Sequence, residues 1–492
     1  MSADFEELRA QIERFLASCR RPALLEPGEG LLELDGANHH LEIRASRLVL
    51  QAWDRARNIT RRVTAVRAAT PGRLELVVER FARREGKLFL VDLERPAGHD
   101  AGRRSARLVF RERFRHILAR QYPGWTLADL SSDANLQHSL SPAFARAYLK
   151  QGQDGMAAIG APEAGDAGGI LTFGLIWLDY LRRRERRGTV RGVAFFLPAG
   201  QERATCLRLR HLDPQAAHFE LYSYSPQGFV ARIDADDVGN IDTELEVWRE
   251  AAPLAAVLEG ALAVPAVERV AKPDGSTSLR VRGLEFAQTG PQGVRFGLGE
   301  RLDAAPHHAT EIARLAADLA RLRSPEARGR THPLWRQAPE AWLESQVRAH
   351  IEAIDASLLP AQVYSQVLAF AGGDRGVIDL LAADRAGRLA ILELKAGADI
   401  HLPLQALDYW MRVRWHLERG EFDGRGYFPG MALRRDPPRL LLVSPALEFH
   451  PTTEAILRFF SPAVPVERVG VGVEWRRGLE VMFRLQGAEN PR

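Results

Sequence analysis

Two carboxylates and an amine fall where a folded strand pair would gather them: Asp379, Glu393 and Lys395, inside the stretch from Gly376 to Lys395. Two apolar runs flank Arg385-Ala386-Gly387, and a hairpin turned about Ala386 sets Asp379 opposite Glu393, because both are equidistant from it. Side chains alternate along a strand, so Lys395 projects with both acids, while Ile378, Leu380, Leu392 and Leu394 project to the other face. One face is expected to be apolar and the other to carry the polar trio. Close carboxylates repel and are costly to desolvate, and a cation between them removes that cost. Mg2+ or Mn2+ suits the pair: a hard ion takes oxygen ligands, uses one or two carboxylates and keeps several waters. A cation held in this way polarises a phosphodiester and lowers the pKa of a bound water. The neighbouring ammonium would position that water or stabilise developing charge. The same trio would also suit a solvated ladder on an ordinary hairpin.

Of the 67 basic residues only Lys87, Lys150, Lys272 and Lys395 are lysine. Arginine is therefore the compositional default, and a lysine at 395 points modestly to a need for a compact amine. Downstream, the apolar spacing of Leu402 to Leu417 predicts a helix starting near Pro403, a residue favoured in the first turn. Gln405 and Tyr409, four apart, share one face of it.

The order strand, turn, strand, helix, carrying Asp379, Glu393-x-Lys395 and then Gln405-x-x-x-Tyr409, resembles the PD-(D/E)xK nuclease superfamily and its RecB-type branch. The hairpin sequence is also similar to the catalytic domain of NucS-type endonucleases. The resemblance implies that Asp379 and Glu393 bind Mg2+ or Mn2+, that Lys395 serves the nucleophilic water, and that Gln405 and Tyr409 line the site beside the substrate. Ile378 stands where the family name has proline. Families of this type often add an acid on the preceding helix, here Trp342 to Ile354, and Glu344 is the matching residue; it would equally suit a surface pair with Arg348 one turn later. The family core, helix, three strands, helix, strand (αβββαβ), is met by that helix, a strand at 361–370, the hairpin, the 402–417 helix and a strand at 439–445. A short helix at 452–460 and a hairpin over 466–485, turned at Arg477-Gly478, follow.

The whole chain, 492 residues with 46% hydrophobic and 26% charged, has the composition of a globular α/β protein of several domains rather than a disordered one. Cys19 and Cys206 are too few for a disulfide framework or a zinc site, which favours a reducing compartment. The start is acidic where a signal peptide would be basic, and no apolar run reaches the roughly 18 residues of a membrane span. The expectation is a cytoplasmic protein with no membrane partner.

The net charge of +4 is small, and its surplus lies in the front two thirds. Arginine clusters occur at Arg55, Arg57, Arg61 and Arg62, at Arg111, Arg113, Arg115 and Arg120, and at Arg182, Arg183, Arg184, Arg186 and Arg187. Each suits phosphate through its planar fork, or a solvated helix end. Residues 1–100 read as a helix over 4–18 and then short alternating strands, a β-rich module forming a small sheet or barrel. Residues 101–245 read as mixed α/β, with helices over 108–120 and 171–184 and strands at 156–159 and 193–197. Leu178-Asp179-Tyr180 recurs as Leu407-Asp408-Tyr409, each in a helix followed by a strand closed by Pro198 or Pro445, which suggests a degenerate nuclease-like repeat. Its strand, Met156 to Ala161, holds no glutamate or lysine, so a second active site is not expected. Residues 246–330 read as a connecting region, with joints at 264–276 and 324–339, and 331–492 as the nuclease-like domain. The pairs His39-His40 and His307-His308 lack metal-ligand spacing and read as turn or surface residues.

The expected activity is Mg2+- or Mn2+-dependent hydrolysis of DNA phosphodiester bonds, in repair or defence. RNA processing and a noncatalytic nucleic-acid-binding or scaffold role are the alternatives. No phosphate-binding loop of the helicase type occurs, so a helicase or clamp protein would be a separate partner.

Overall fold

The computed structural model describes all residues other than 1, 27–29, 36–37, 45–46, 54–57, 80–84, 95–98, 163–166, 226, 238, 252, 328–329, 372–373 and 490–492. Among the described residues helices mix with four β-sheets, and the chain divides into two compact units, residues 1–203 with 218–233, and residues 204–217 with 234–492. Among the described residues no helix is long and apolar enough to cross a membrane.

The first unit begins with a helix over Ser2–Ser18 and seven antiparallel strands between Pro22 and Asp92. Their order, second, first, seventh, sixth, fifth, fourth, third, leaves two edges, so the module is an open sheet. Period-two alternation builds it: along Arg73–Glu79, Leu74, Leu76 and Val78 are buried while the residues between them are half-exposed. These leucines and valines pack with Ile12 of the helix.

The unit continues with a core of helix α1 (His99–Gln121), strands β1 (Thr126–Ser131), β2 (Ala145–Gln151) and β3 (Asp154–Gly160), helix α2 (Ile170–Arg184) and strand β4 (Thr189–Pro198). After a helix α3 (Arg203–Leu209), all but its first residue in the second unit, the chain returns as β5 (His218–Tyr224) and β6 (Val230–Ile233). The sheet order is β6-β5-β4-β3-β2-β1. The three strands β3, β4 and β5 run parallel, and the outer neighbours pair antiparallel. Phe110, Phe114 and Ile117 of α1 cover one face.

In the second unit the stretch expected to connect domains is itself folded. Five antiparallel strands between Val267 and Asp303, with a helix over Ala309–Leu322, enclose Leu279, Val281, Phe286, Ile312 and Leu319. The 264–276 segment holds the strand Val267–Ala271 and its hairpin turn, in which Gly275 N–H donates to Lys272 O at 3.0 Å. Pro273-Asp274-Gly275 is turn chemistry, and a tight turn shares the composition of a linker.

The last part holds α4 (Pro339–Ala349), α5 (Ile351–Ile354), β7 (Leu358–Ala371), β8 (Asp374–Asp384), β9 (Leu389–Leu394), α6 (Leu402–Glu418), β10 (Arg439–Pro445), α7 (Thr453–Leu457), β11 (Val466–Val471) and β12 (Val481–Gln486). The sheet runs β7-β8-β9-β10-β11-β12, with a short strand Thr243–Leu245 added beside β7. Here β9, β10 and β11 are parallel and the remaining pairs antiparallel. The two cores thus share one strand order and one set of pairing directions. Trp342, Leu343 and Val347 of α4 pack on Leu380, Leu392, Leu394, Leu441 and Val443. Each such leucine contributes about 1.5–3 kcal/mol by leaving water.

Candidate active site

The β8–β9 hairpin has the expected register. Leu380 lies opposite Leu392 and Ala383 opposite Leu389, and the ladder ends there, one step short of the expected pairing of Asp379 with Glu393. The turn closes where Gly387 N–H donates to Asp384 O at 3.0 Å and Ala386 N–H to Asp384 Oδ1 at 2.9 Å. Gly387 adopts φ +82°, and a Cβ there would lie 2.3 Å from the carbonyl oxygen of Ala432, so glycine is required.

Beyond Leu380 the hairpin opens. The Asp379 carboxylate accepts the N–H of Leu394 through Oδ2 at 2.8 Å, which turns it toward the end of β9. Lys395 continues the parallel pairing, donating its N–H to Val443 O at 3.0 Å. Its Nζ lies 3.5 Å from Glu393 Oε1 and 3.8 Å from Asp399 Oδ2. Glu393 is 1% exposed, and its buried Oε2 has no hydrogen-bond partner. The polar trio does not stand on an open face, as expected of a one-sided hairpin. Leu381, Ile391, Leu440 and Leu442, on the same side, are fully buried, because β9 and β10 are interior strands of a sheet covered on both faces.

Electrostatics follow from that burial. Desolvation, with the charge of Asp379 added to it, pushes the Glu393 carboxyl well above its ordinary range, against the pull of Lys395. Desolvation likewise raises Asp379 to about 7; the Leu394 N–H and Lys395 oppose it, and the charges of Glu344 and Glu340 add to it. Burial draws the Lys395 ammonium down, but Glu393, Glu340, Asp379 and Asp399 outweigh it and the net displacement is upward.

Gln405 and Tyr409 project from α6 together, Gln405 Nε2 donating to Tyr409 Oη at 3.1 Å. Burial raises the Tyr409 phenol, and after the opposing Gln405 bond the next influences are the charges of Glu393 and Asp379, so its hydroxyl lies within electrostatic reach of both acids. Glu344 is buried rather than superficial. Its Oε2 lies 3.4 Å from Arg280 Nη1 and its Oε1 3.9 Å from Arg348 Nε. Burial nevertheless raises its carboxyl, and its charge is felt at Asp379.

Glu340 and Asp399 were not expected. They line, with Ala338, Pro339, Ala396 and Gly397, a cleft of about 630 Å³. Both had a sequence signal, Glu340 four residues before Glu344 on one helix and Asp399 four after Lys395. Among the described residues no three His, Cys, Asp or Glu side chains converge as a metal cage. The donor set suits a divalent ion that takes two carboxylates and completes its shell with water and substrate oxygens. The orphaned Oε2 of Glu393 and the raised carboxyls mark where a positive charge would be stabilised.

The arginine clusters of the front unit are largely engaged internally. Arg61 pairs with Glu26, Arg62 with Glu79, Arg111 and Arg115 with Glu112, Arg183 with Asp179, and Arg184 with Asp129. Arg113 donates to Ser225 O at 2.5 Å and Arg182 to Val190 O at 3.0 Å. Arg55 and Arg57 lie outside the described residues. His39 meets Asp35 O, and His308 accepts the Ala305 N–H. Comparison of the chain with protein-family models, with curated proteins and with solved structures finds no match.

Proposed function

We propose that the C-terminal core hydrolyses phosphodiester bonds in DNA with Mg2+ or Mn2+. The observation that carries this reading is a pair of buried neighbouring carboxylates, Asp379 and Glu393, with the Lys395 ammonium reaching both Glu393 and Asp399, a residue that lines the neighbouring cleft. Asp379 and Glu393 would hold the ion. When bound, it supplies a Lewis acid for the phosphodiester and a water of lowered pKa. Lys395 donates hydrogen bonds to the attacking water or to the phosphoryl oxygens, where its compact charge stabilises the transition state. Gln405 and Tyr409 offer an amide and a hydroxyl to the substrate, and Glu344, braced by Arg280 and Arg348, supports the negative field that draws the cation in.

The test is incubation of the protein with single-stranded, duplex and flapped DNA, and with RNA of the same sequence, in Mg2+ or Mn2+. Glu393→Ala and Lys395→Ala run beside it. Cleavage that both substitutions abolish is expected. Cleavage that survives both removes the site, binding without cleavage assigns a noncatalytic role, and cutting confined to RNA changes the substrate.

A further inference from the structure

The two cores can be aligned residue by residue from their hydrogen bonds alone. In the second, Leu394 lies beside Val443, Lys395 N–H donates to Val443 O at 3.0 Å, and Pro445 closes β10 beside Val471. In the first, Gly160 lies beside Phe196, Ala161 N–H donates to Phe196 O at 3.0 Å, and Pro198 closes β4 beside Tyr224. Ala161 therefore stands where Lys395 stands, and Ile159 where Glu393 stands. Across the antiparallel ladder Ile159 faces Arg146; one step past the last pair of the second ladder, Leu380 opposite Leu392, the same register brings Asp379 to the level of Glu393. An arginine holds the place of the aspartate.

That arginine is fixed in the interior. Arg146 is 3% exposed, and its guanidinium donates to the carbonyl oxygens of Ser141 and Asp133. It lies 5.9 Å over the ring of Trp177, whose own Nε1 donates to Ala147 O at 2.9 Å. Burial draws its pKa below the ordinary arginine value, and the charges of Asp133 and Asp129 oppose that only in part. Where the second ladder opens at Asp379, the first runs on without a break from Asp154 opposite Gln151 to Gly160 opposite Ala145. A cation fastened to the chain, tying β2 to the 133–141 loop, thus occupies the strand position that in the other core carries an acid.

We propose that the first core is a metal-free twin of the second, in which the Arg146 guanidinium takes the place of the divalent ion, so that of the two cores, among the described residues, the second alone offers a divalent-ion site. The metal half of this assignment rests on the reading of Asp379 and Glu393 given above. The experiment counts bound Mn2+ by electron paramagnetic resonance on the full chain. Asp379→Asn/Glu393→Gln is expected to bind no Mn2+ tightly, and adding Arg146→Asp and Ile159→Glu to that variant is expected to create one tight site. Mn2+ retained tightly by the first variant overturns the proposal, as does a fourfold variant that folds by circular dichroism and binds none. Should the fourfold variant not fold, Arg146→Met decides. A melting temperature lowered by several degrees, with cleavage per folded molecule unchanged, supports the guanidinium's role, and an unchanged melting temperature overturns it. Wild-type protein that binds no Mn2+ would sink the catalytic reading alone, and the Arg146→Met melting result would still judge the twin.

Discussion

The carboxylate of Asp379 accepts the backbone N–H of Leu394 at 2.8 Å, and the pairing of β8 with β9 ends one residue before it, at Leu380 opposite Leu392. One side chain thus satisfies a strand-end donor and also carries a carboxylate charge that reaches Glu393. Asparagine keeps the first task and loses the charge, whereas alanine loses both. Asp379→Asn should fold like the parent and cleave at least about a hundredfold more slowly. Asp379→Ala should show the same loss and also unfold about 1–3 kcal/mol more easily, the cost of an unpaired buried donor. Urea denaturation beside a cleavage assay separates the two effects. Equal stability of the two variants would show that the Leu394 bond contributes nothing.

Lys395 is 9% exposed and touches both Glu393 and Asp399, so its site accommodates a point charge on a thin stem. A planar guanidinium is wider and carries its charge farther from the backbone. Lys395→Arg is therefore expected to rescue little, leaving cleavage within about tenfold of the Lys395→Met value. Single-turnover rates on a labelled substrate measure this, and an arginine variant near wild-type rate would reduce the lysine to general electrostatics.

Without metal, the raised carboxyl of Asp379 sets a pH dependence of unusual sign. The folded protein holds this proton up to about pH 7, while the unfolded chain releases it near the ordinary aspartate value of about 3.9. Between those limits the native state binds more protons than the unfolded state, so stability falls as pH rises, by up to about 1.4 kcal/mol per unit. Asp379→Asn lacks this slope. In EDTA its stability relative to wild type should improve from about pH 4 to pH 7 and then level off, and Mn2+ should erase the advantage by binding the wild-type carboxylates. A constant difference across that range, by urea titration, would contradict the raised pKa.

Much of this site was legible because a hairpin has few ways to fold. The distance of Asp379 and Glu393 from the turn sets their register, and the strand period sets Lys395 beside them. Pro403 and the apolar spacing likewise marked the helix that proves to span Leu402–Glu418. Burial of the trio was not legible. Leu381 and Ile391 on the polar side could be recognised as core only once α6 lay over them, and a run that is apolar on both faces has no sidedness to read. Glu344 was read as a functional acid or a surface partner of Arg348. Its second partner, Arg280, is 64 residues distant in a sheet whose short strands and Asp274-Gly275 turn resemble a linker in composition. The shared topology of the two cores showed in sequence only as Leu-Asp-Tyr in a helix and a following strand closed by proline, since strand order itself leaves no residue signature. Arg146 could not be matched to Asp379 before both ladders were known.

The register of the hairpin depends on Gly387. Its positive φ alone costs another residue about 1–3 kcal/mol, and the clash of a methyl group with the Ala432 carbonyl adds to that. Gly387→Ala should destabilise the second unit by at least about 2 kcal/mol. Cleavage should fall more than the folded fraction does, because displacement of the turn moves Asp379 relative to Glu393. Thermal unfolding and activity per folded molecule report the two parts; a variant as stable and active as the parent would remove the turn from the site's support.

Asp355 offers a control of opposite sign, in the same unit but among different partners. Its Oδ1 accepts the Ser357 N–H at 2.9 Å and hydroxyl at 2.6 Å, and its Oδ2 accepts Arg439 Nη2 at 2.6 Å. Arg439 and Arg484 continue the network to Glu467. Burial would raise the Asp355 carboxyl, but Ser357 and Arg439 overcome it and hold the group down to about 2. A depressed folded pKa gives stability that is complete above the unfolded value of about 3.9 and is lost as pH falls through about 2. Asp355→Asn should therefore cost about 2 kcal/mol at neutral pH. The gap to wild type should stay flat down to about pH 5 and begin to close below about pH 4. Denaturation curves from pH 7 to pH 3 test this, and a gap that narrows already between pH 7 and pH 5 would mean that another group carries the titration.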